Sequence, residues 1–349
     1  MKGVRLSRKG APTKTTDFER RIPATPVLLA ALLMQVSIFL FLWPADLAGS
    51  QSSQTADRQD PDFKISVDVS LVVLHATVRD QKGRFVSELQ SKNFKVYEDG
   101  NPQEIKLFAH QDAPVTAGLI IDNSSSMRPK SRDVMLSALA FVRSSNPRDE
   151  MFLVHFNERP WLGLPAPVSF TSDHSLLEAA LTRGVPGGKT GIYDAIALGL
   201  EHLGHGHFDK KALVVISDGG DNASRHTWPD VRAMAQASDA IIYTVGLVDR
   251  DDPDSNPRVL KRLAQETGGE VFLPSETSAV TGICERIARD MRNQYTIGYV
   301  PSNGRHNGAY HTIRVTASLP GKSKLSVRTR NGYLAAPLSV PAKSGAAPR

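Results

Sequence analysis

The sequence predicts an α/β fold, a mostly parallel sheet covered by helices on both faces and flanked by small β-rich segments. Three observations carry this. Between residues 113 and 293, short apolar runs alternate with stretches of helical period. The runs are apolar on both sides of the strand, as a sheet buried on both faces requires. Outside that region the pattern turns to β-branched, partly alternating stretches separated by turn residues.

Taken in chain order, residues 1–25 are basic and residues 26–43 read PVLLAALLMQVSIFLFLW, with 15 apolar residues of 18 and no charge. As a helix this run is about 27 Å long, close to the roughly 30 Å hydrocarbon core of a bilayer. It is expected to be a signal peptide or signal anchor, with the basic segment cytoplasmic and everything after residue 50 outside. Its length favours an anchor, while the small residues of Ala48-Gly49-Ser50 suit cleavage. Ser50 stands where a lipidated cysteine would have to be. Residues 44–62 are polar and read as a linker.

Residues 63–112 form a β-rich unit, with strand-like runs at 64–80, 93–98 and 103–109. Turn signals lie at Asp80-Gln81-Lys82-Gly83 and Glu98-Asp99-Gly100-Asn101. The unit is too small to be confidently independent. Within 113–293, strands are expected at 117–121, 151–156, 212–216, 240–245 and 270–273, with an antiparallel edge strand around 161–164. Helices are expected near 130–144, 174–183, 191–203, 228–237, 257–267 and 278–292. Residues 294–335 return to β character, and the Ala-, Pro- and Ser-rich residues 336–349 read as a disordered tail.

Composition narrows the function. The chain has 42 Lys and Arg against 36 Asp and Glu, a net charge of +6. Residues 1–50 hold seven of the basic and three of the acidic residues, which leaves the remaining 299 residues only +2. A near-neutral body offers no electrostatic footprint for nucleic acid. The single cysteine, Cys284, excludes an intramolecular disulfide framework and a cysteine-based metal cluster. It sits on the apolar stripe of the last expected helix, with Val280, Ile287 and Met291, and reads as a buried small hydrophobe.

Three stretches at strand ends carry the candidate chemistry: Asp122-Asn123-Ser124-Ser125-Ser126, Lys189-Thr190-Gly191 and Ser217-Asp218-Gly219-Gly220. In an open parallel sheet, ligand sites form beyond the carboxyl ends of the strands. A hard divalent cation takes oxygen ligands, about six for Mg²⁺. Ser124 and Ser126 are two apart in a turn, so both hydroxyls can point the same way. Thr190 can supply a third hydroxyl, and Asp122 and Asp218 can hold coordinated waters. Neutral hydroxyls leave such a metal electropositive, with a position open to a carboxylate from a partner.

At these residues the sequence resembles the von Willebrand factor A domain family. Asp122-x-Ser124-x-Ser126, Thr190 and Asp218 match that family's metal-ion-dependent adhesion site in order and spacing. The resemblance implies a doubly wound three-layer α/β/α, Rossmann-like domain binding Mg²⁺, or Mn²⁺ or Ca²⁺. It implies Ser124, Ser126 and Thr190 as direct ligands and Asp122 and Asp218 acting mainly through water. Ser125 departs from the Gly that many members carry there. The flanks resemble a narrower group of bacterial exported proteins related to this family. The matching residues are Phe94 to Gly100, Gln103-x-Ile105 and Phe108, then Tyr295-x-x-Gly298-Tyr299 and Arg328-x-Arg330-x-Gly332-Tyr333. That resemblance implies export to the bacterial cell envelope and a binding role.

Other motifs read more plainly. Gly184 to Thr190 is one residue short of a Walker A loop and follows a helix rather than a strand, so nucleotide binding is not expected. His202, His205 and His207 read as a solvated helix end, and Asp249 to Asp254 as an exposed acidic loop near the candidate metal face. Ser124 and Ser126 have no histidine at a spacing that suggests nucleophilic catalysis, and no general base is apparent beside the site. The expected function is therefore a non-enzymatic, adhesion-type module that docks an acidic residue of a protein partner on a divalent metal, held at the membrane by its N-terminal segment. The alternative is a structural or regulatory envelope module whose metal only stabilises the fold.

Overall fold

The computed structural model describes residues 71–249, 251–302, 308–321 and 324–335. The expected basic segment, membrane-inserting run, linker and tail lie outside the described residues. Among the described residues, no helix is long and apolar enough to cross a membrane.

The first β-rich stretch supplies β1 (Val72–Arg79), β2 (Phe94–Glu98), β3 (Asn101–Gln103) and β4 (Ile105–Ala109). The α/β region then runs β5 (Thr116–Asp122), α1 (Ser131–Ser144), β6 (Glu150–Phe156), β7 (Pro160–Leu162), α2 (His174–Leu181), α3 (Ile192–Gly204) and β8 (Lys211–Ser217). It continues with α4 (Trp228–Ala237), β9 (Ile241–Gly246), α5 (Pro257–Thr267), β10 (Val271–Phe272) and α6 (Val280–Arg292). The chain closes with β11 (Tyr295–Tyr299), β12 (Tyr310–Ala317), β13 (Ser326–Arg328) and β14 (Gly332–Leu334).

Six strands form the central sheet in the order β10-β9-β8-β5-β6-β7. All neighbours are parallel except β6 and the edge strand β7. Every residue of β5 is buried, and its Leu119-Ile120-Ile121 run lies between β6 and β8. Helices flank the sheet: α1 packs against α2 and α6, while α4 packs against α3 and α5. Local chemistry sets the helix ends. Thr227 and Asp230 form a capping box at the start of α4, and Gly268, at φ 78°, ends α5 in the left-handed conformation. The expected doubly wound α/β architecture is therefore present. Cys284 is fully buried on α6, and burial pushes its thiol up to about 12.

The chain leaves β5 for β6 on one side and returns to β8 on the other. The carboxyl ends of β5 and β8 thus flank the point where strand order reverses, the usual position of a binding crevice in such sheets.

The two β-rich stretches combine. Sheet β13-β1-β11-β4 and sheet β14-β12-β2-β3 are each built from strands on both sides of the α/β region. β1 pairs antiparallel with β11 and β13, and β12 pairs antiparallel with β2 and β14. Leu74, Phe94, Val96, Tyr295, Ile297, Tyr299 and Val315 share one apolar core. Within each sheet either stretch supplies only two strands, too few to be stable alone, and together they make four. The β2–β3 turn falls at Asp99 and Gly100, both at positive φ (47° and 84°), as a tight hairpin requires.

Candidate metal centre

Asp122 ends β5 and Asp218 follows β8, so the parallel register of the two strands places both carboxylates at the same sheet edge. The turn after β5 folds back on itself. The Ser124 N–H donates to Asp122 Oδ1 at 2.8 Å, and Ser217 Oγ donates to Asp122 Oδ2 at 2.6 Å. The Ser124 and Ser126 hydroxyls lie 3.1 Å apart, and Ser126 Oγ donates to Asp218 Oδ2 at 2.6 Å. The other Asp218 oxygen accepts from the Gly220 N–H at 3.0 Å. Four of the five expected residues are thus linked through these hydrogen bonds.

Thr190 comes from the loop before α3, which is tied to both other segments. Ser125 N–H donates to Gly188 O at 3.1 Å, and Gly187 N–H donates to Asn123 O at 2.7 Å. Thr190 N–H donates to Asn222 Oδ1 at 2.9 Å, and Asn222 N–H donates back to Thr190 O at 2.9 Å. Among the described residues the Thr190 hydroxyl has no hydrogen-bond partner, although the residue is buried. It is therefore free to act as a ligand.

The electrostatics fit a cation. Asp122 and Asp218 are 3% and 2% exposed, and among the described residues neither has a Lys, Arg or His ion-pair partner. Burial pushes the Asp122 carboxyl up to about 6, against the pull of its Ser217 and Ser124 hydrogen bonds. Two buried carboxylates with neutral hydroxyls between them form an all-oxygen donor set of the kind hard divalent ions take. Such an ion would be held by Ser124, Ser126 and Thr190, with Asp122 and Asp218 orienting the hydroxyls and any coordinated water.

Several residues that position the site had no role in it assigned from the sequence. Ser217 fixes Asp122, Asn222 fixes Thr190, and Asn256 N–H donates to Asp218 O at 3.1 Å while Asn256 caps α5. Asp254, from the acidic loop, accepts from Asn222 Nδ2 at 3.0 Å and so lies at this face. Each is an ordinary turn or cap residue until the loops meet.

The remaining motifs stay apart from this chemistry. His155 is nearby, but its Nδ1 faces Asn123 Nδ2 at 2.9 Å and its Nε2 faces Ala180 O at 3.0 Å. Both ring nitrogens are committed, and neither serine hydroxyl bonds to an imidazole among the described residues. His202, in the last turn of α3, bonds Ser169 O and His207 bonds Glu150, so these two histidines diverge. Gly184 to Thr190 is the loop between α2 and α3.

Sheet order makes this a doubly wound domain, with the candidate site at the strand ends where β5 and β8 mark the reversal. Residues 118–220 match the family model described as von Willebrand factor type A domain. None of the curated proteins compared matches the chain. Among solved structures it is similar to a von Willebrand factor type A protein from Catenulispora acidiphila, at 11% identity and a TM-score of 0.47, over 76% of this chain and 75% of that one. It is also similar to the von Willebrand factor domain of a type V pili tip protein from Porphyromonas gingivalis, at 16% identity and a TM-score of 0.42, over 52% of this chain and 95% of that one. A conserved hypothetical protein, BatB from Bacteroides thetaiotaomicron, aligns at 18% identity and a TM-score of 0.39, over 50% of this chain and 98% of that one.

Proposed function

We propose that this chain is a non-enzymatic binding module of the bacterial cell envelope, which docks an acidic residue of a protein partner on a divalent metal. The metal, Mg²⁺ or a similar hard ion, would be held by Ser124, Ser126 and Thr190, with Asp122 and Asp218 behind them. The observation that carries the reading is the hydrogen-bonded line Ser124–Ser126–Asp218 beside Asp122, in which the two buried carboxylates have no cationic partner among the described residues. A carboxylate ligand would complete the coordination of a metal held largely by neutral hydroxyls. The apolar run at 26–43 supports a position outside the cytoplasmic membrane, cleaved or anchored. Commitment of His155 to Asn123 and Ala180 supports binding over nucleophilic catalysis.

The test is Mn²⁺ binding to the full chain by calorimetry, followed by crosslinking to an envelope fraction. One equivalent of Mn²⁺ is expected, lost in Asp122→Ala and Ser126→Ala while circular dichroism is unchanged. A crosslinked partner is expected with Mg²⁺ and not with chelator. Metal binding that raises the melting temperature but leaves partner capture unchanged would favour the alternative, a fold-stabilising metal in a structural envelope module. Unchanged Mn²⁺ binding in Asp122→Ala would overturn both.

A further inference from the structure

We propose a second metal site, of different chemistry, in the β-sandwich, formed by Glu98, Asp99 and His311. One ligand atom from each of these residues lies within 4.8 Å of the others. Glu98 ends β2, Asp99 begins the β2–β3 turn, and His311 is the second residue of β12, so the three meet only because β2 and β12 pair.

In each carboxylate one oxygen is held by other protein groups and the other faces His311 Nδ1. Glu98 Oε2 accepts from Tyr299 OH at 2.7 Å and Tyr333 OH at 3.1 Å. Its Oε1 is buried with no hydrogen-bond partner and lies 4.0 Å from His311 Nδ1. Asp99 Oδ1 accepts from the Thr312 N–H at 2.8 Å and the Thr312 hydroxyl at 3.0 Å. Its Oδ2 lies 2.7 Å from the same His311 nitrogen.

A buried carboxylate oxygen without a donor is costly unless something positive faces it. Glu98 is 1% exposed, and among the described residues no Lys or Arg pairs with Glu98 or Asp99. Tyrosine hydroxyls behind a carboxylate are the kind of support that orients a metal ligand. Two carboxylate oxygens and an imidazole nitrogen suit a borderline divalent ion such as Zn²⁺, in contrast to the all-oxygen site on the α/β domain. His311 is buried as well, whereas the Asp99 side chain is 38% exposed, which leaves a way in from solvent.

The test is Zn²⁺ calorimetry on the full chain with Mg²⁺ in large excess, for the wild type and four variants. One equivalent of Zn²⁺ is expected for the wild type and for Asp122→Ala. At least a tenfold weaker affinity is expected for Glu98→Gln, Asp99→Asn and His311→Gln. Asp99 sits at φ 47°, which Asn tolerates, so Asp99→Asn keeps the turn and remains informative if a buried variant misfolds. X-ray absorption of the Zn²⁺-loaded chain should show one imidazole ligand that is lost in His311→Gln. Zn²⁺ binding unchanged in Asp99→Asn and His311→Gln, or no Zn²⁺ bound by the wild type, would overturn the site. The two sites share no residue, so failure here leaves the Mg²⁺ reading untouched.

Discussion

Arg79 donates to both carboxylate oxygens of Asp290 at 2.8 Å, joining the first strand of the sandwich to the last helix of the α/β domain. Arg328 of β13 adds a bond to Asp290 at 2.9 Å, and both arginines also bond Glu270. The Asp290 side chain is fully buried, which raises its carboxyl against the pull of the two guanidiniums. Replacing Asp290 by Ala leaves two largely buried positive charges with only Glu270 between them. A loss of about 3–5 kcal/mol in urea unfolding is expected, as for other broken buried pairs. A change below about 1 kcal/mol would mean that the junction contributes little to stability.

Gly219 links stability to the proposed metal site. It lies at φ 84°, and a Cβ there would sit 2.4 Å from the Asn256 carbonyl oxygen. Gly219→Ala therefore combines a left-handed cost of about 1–2 kcal/mol with displacement of the segment that holds Asp218. Mn²⁺ affinity is expected to fall at least tenfold although every proposed ligand is retained. Full Mn²⁺ affinity in a folded Gly219→Ala chain would show that the loop position does not matter.

Occupancy of the proposed metal site should be visible as stability. At a Mg²⁺ concentration 100 times the dissociation constant, native-state binding contributes about 2.7 kcal/mol. The melting temperature of the wild type is expected to rise with Mg²⁺, and that of Ser126→Ala to stay flat. An equal rise in both would point to ion binding elsewhere.

His75 should govern part of the acid limb of the stability curve. Burial, followed by the charges of Lys210 and Arg330, lowers its pKa to about 4. The unfolded chain then binds the proton more readily, so the neutral ring favours the native state. That contribution is fully present above about pH 6.5 and is lost as pH falls through about 4, and in full it is on the order of 3 kcal/mol. His75→Asn is expected to lose less stability than the wild type between pH 7 and pH 4.5 in parallel denaturant titrations. Identical slopes would exclude the assignment.

The central sheet was legible because its signals are local. The apolar runs of β5, β6, β8 and β9 and the helical stretches of α4 and α5 sit where the pattern places them, to within one or two residues. β14 lies within the expected β segment 294–335, but its three residues make too short a pattern to bound as a separate strand. Asp122, Ser124 and Ser126 announced themselves by spacing within one turn, and Asp218 by its strand end. Ser217, Asn222 and Asn256 did not, because their partners stand 95, 32 and 38 residues away in the chain.

What the sequence determined by itself was therefore whatever depends on neighbours in the chain: strand and helix type, the carboxyl-end position of the oxygen donors, and the near-neutral charge of residues 51–349. Tertiary structure decided what depends on pairing across the chain. It merged two β-rich stretches into shared sheets through β1 and β11, and it set Asp290 between Arg79 and Arg328. It also brought His311 to Glu98 and Asp99, more than 200 residues earlier in the chain. The physical reason is common to all three. A half-buried strand exposes only its alternation to sequence reading, and the strand that covers it is chosen by side-chain fit and burial once the chain has closed.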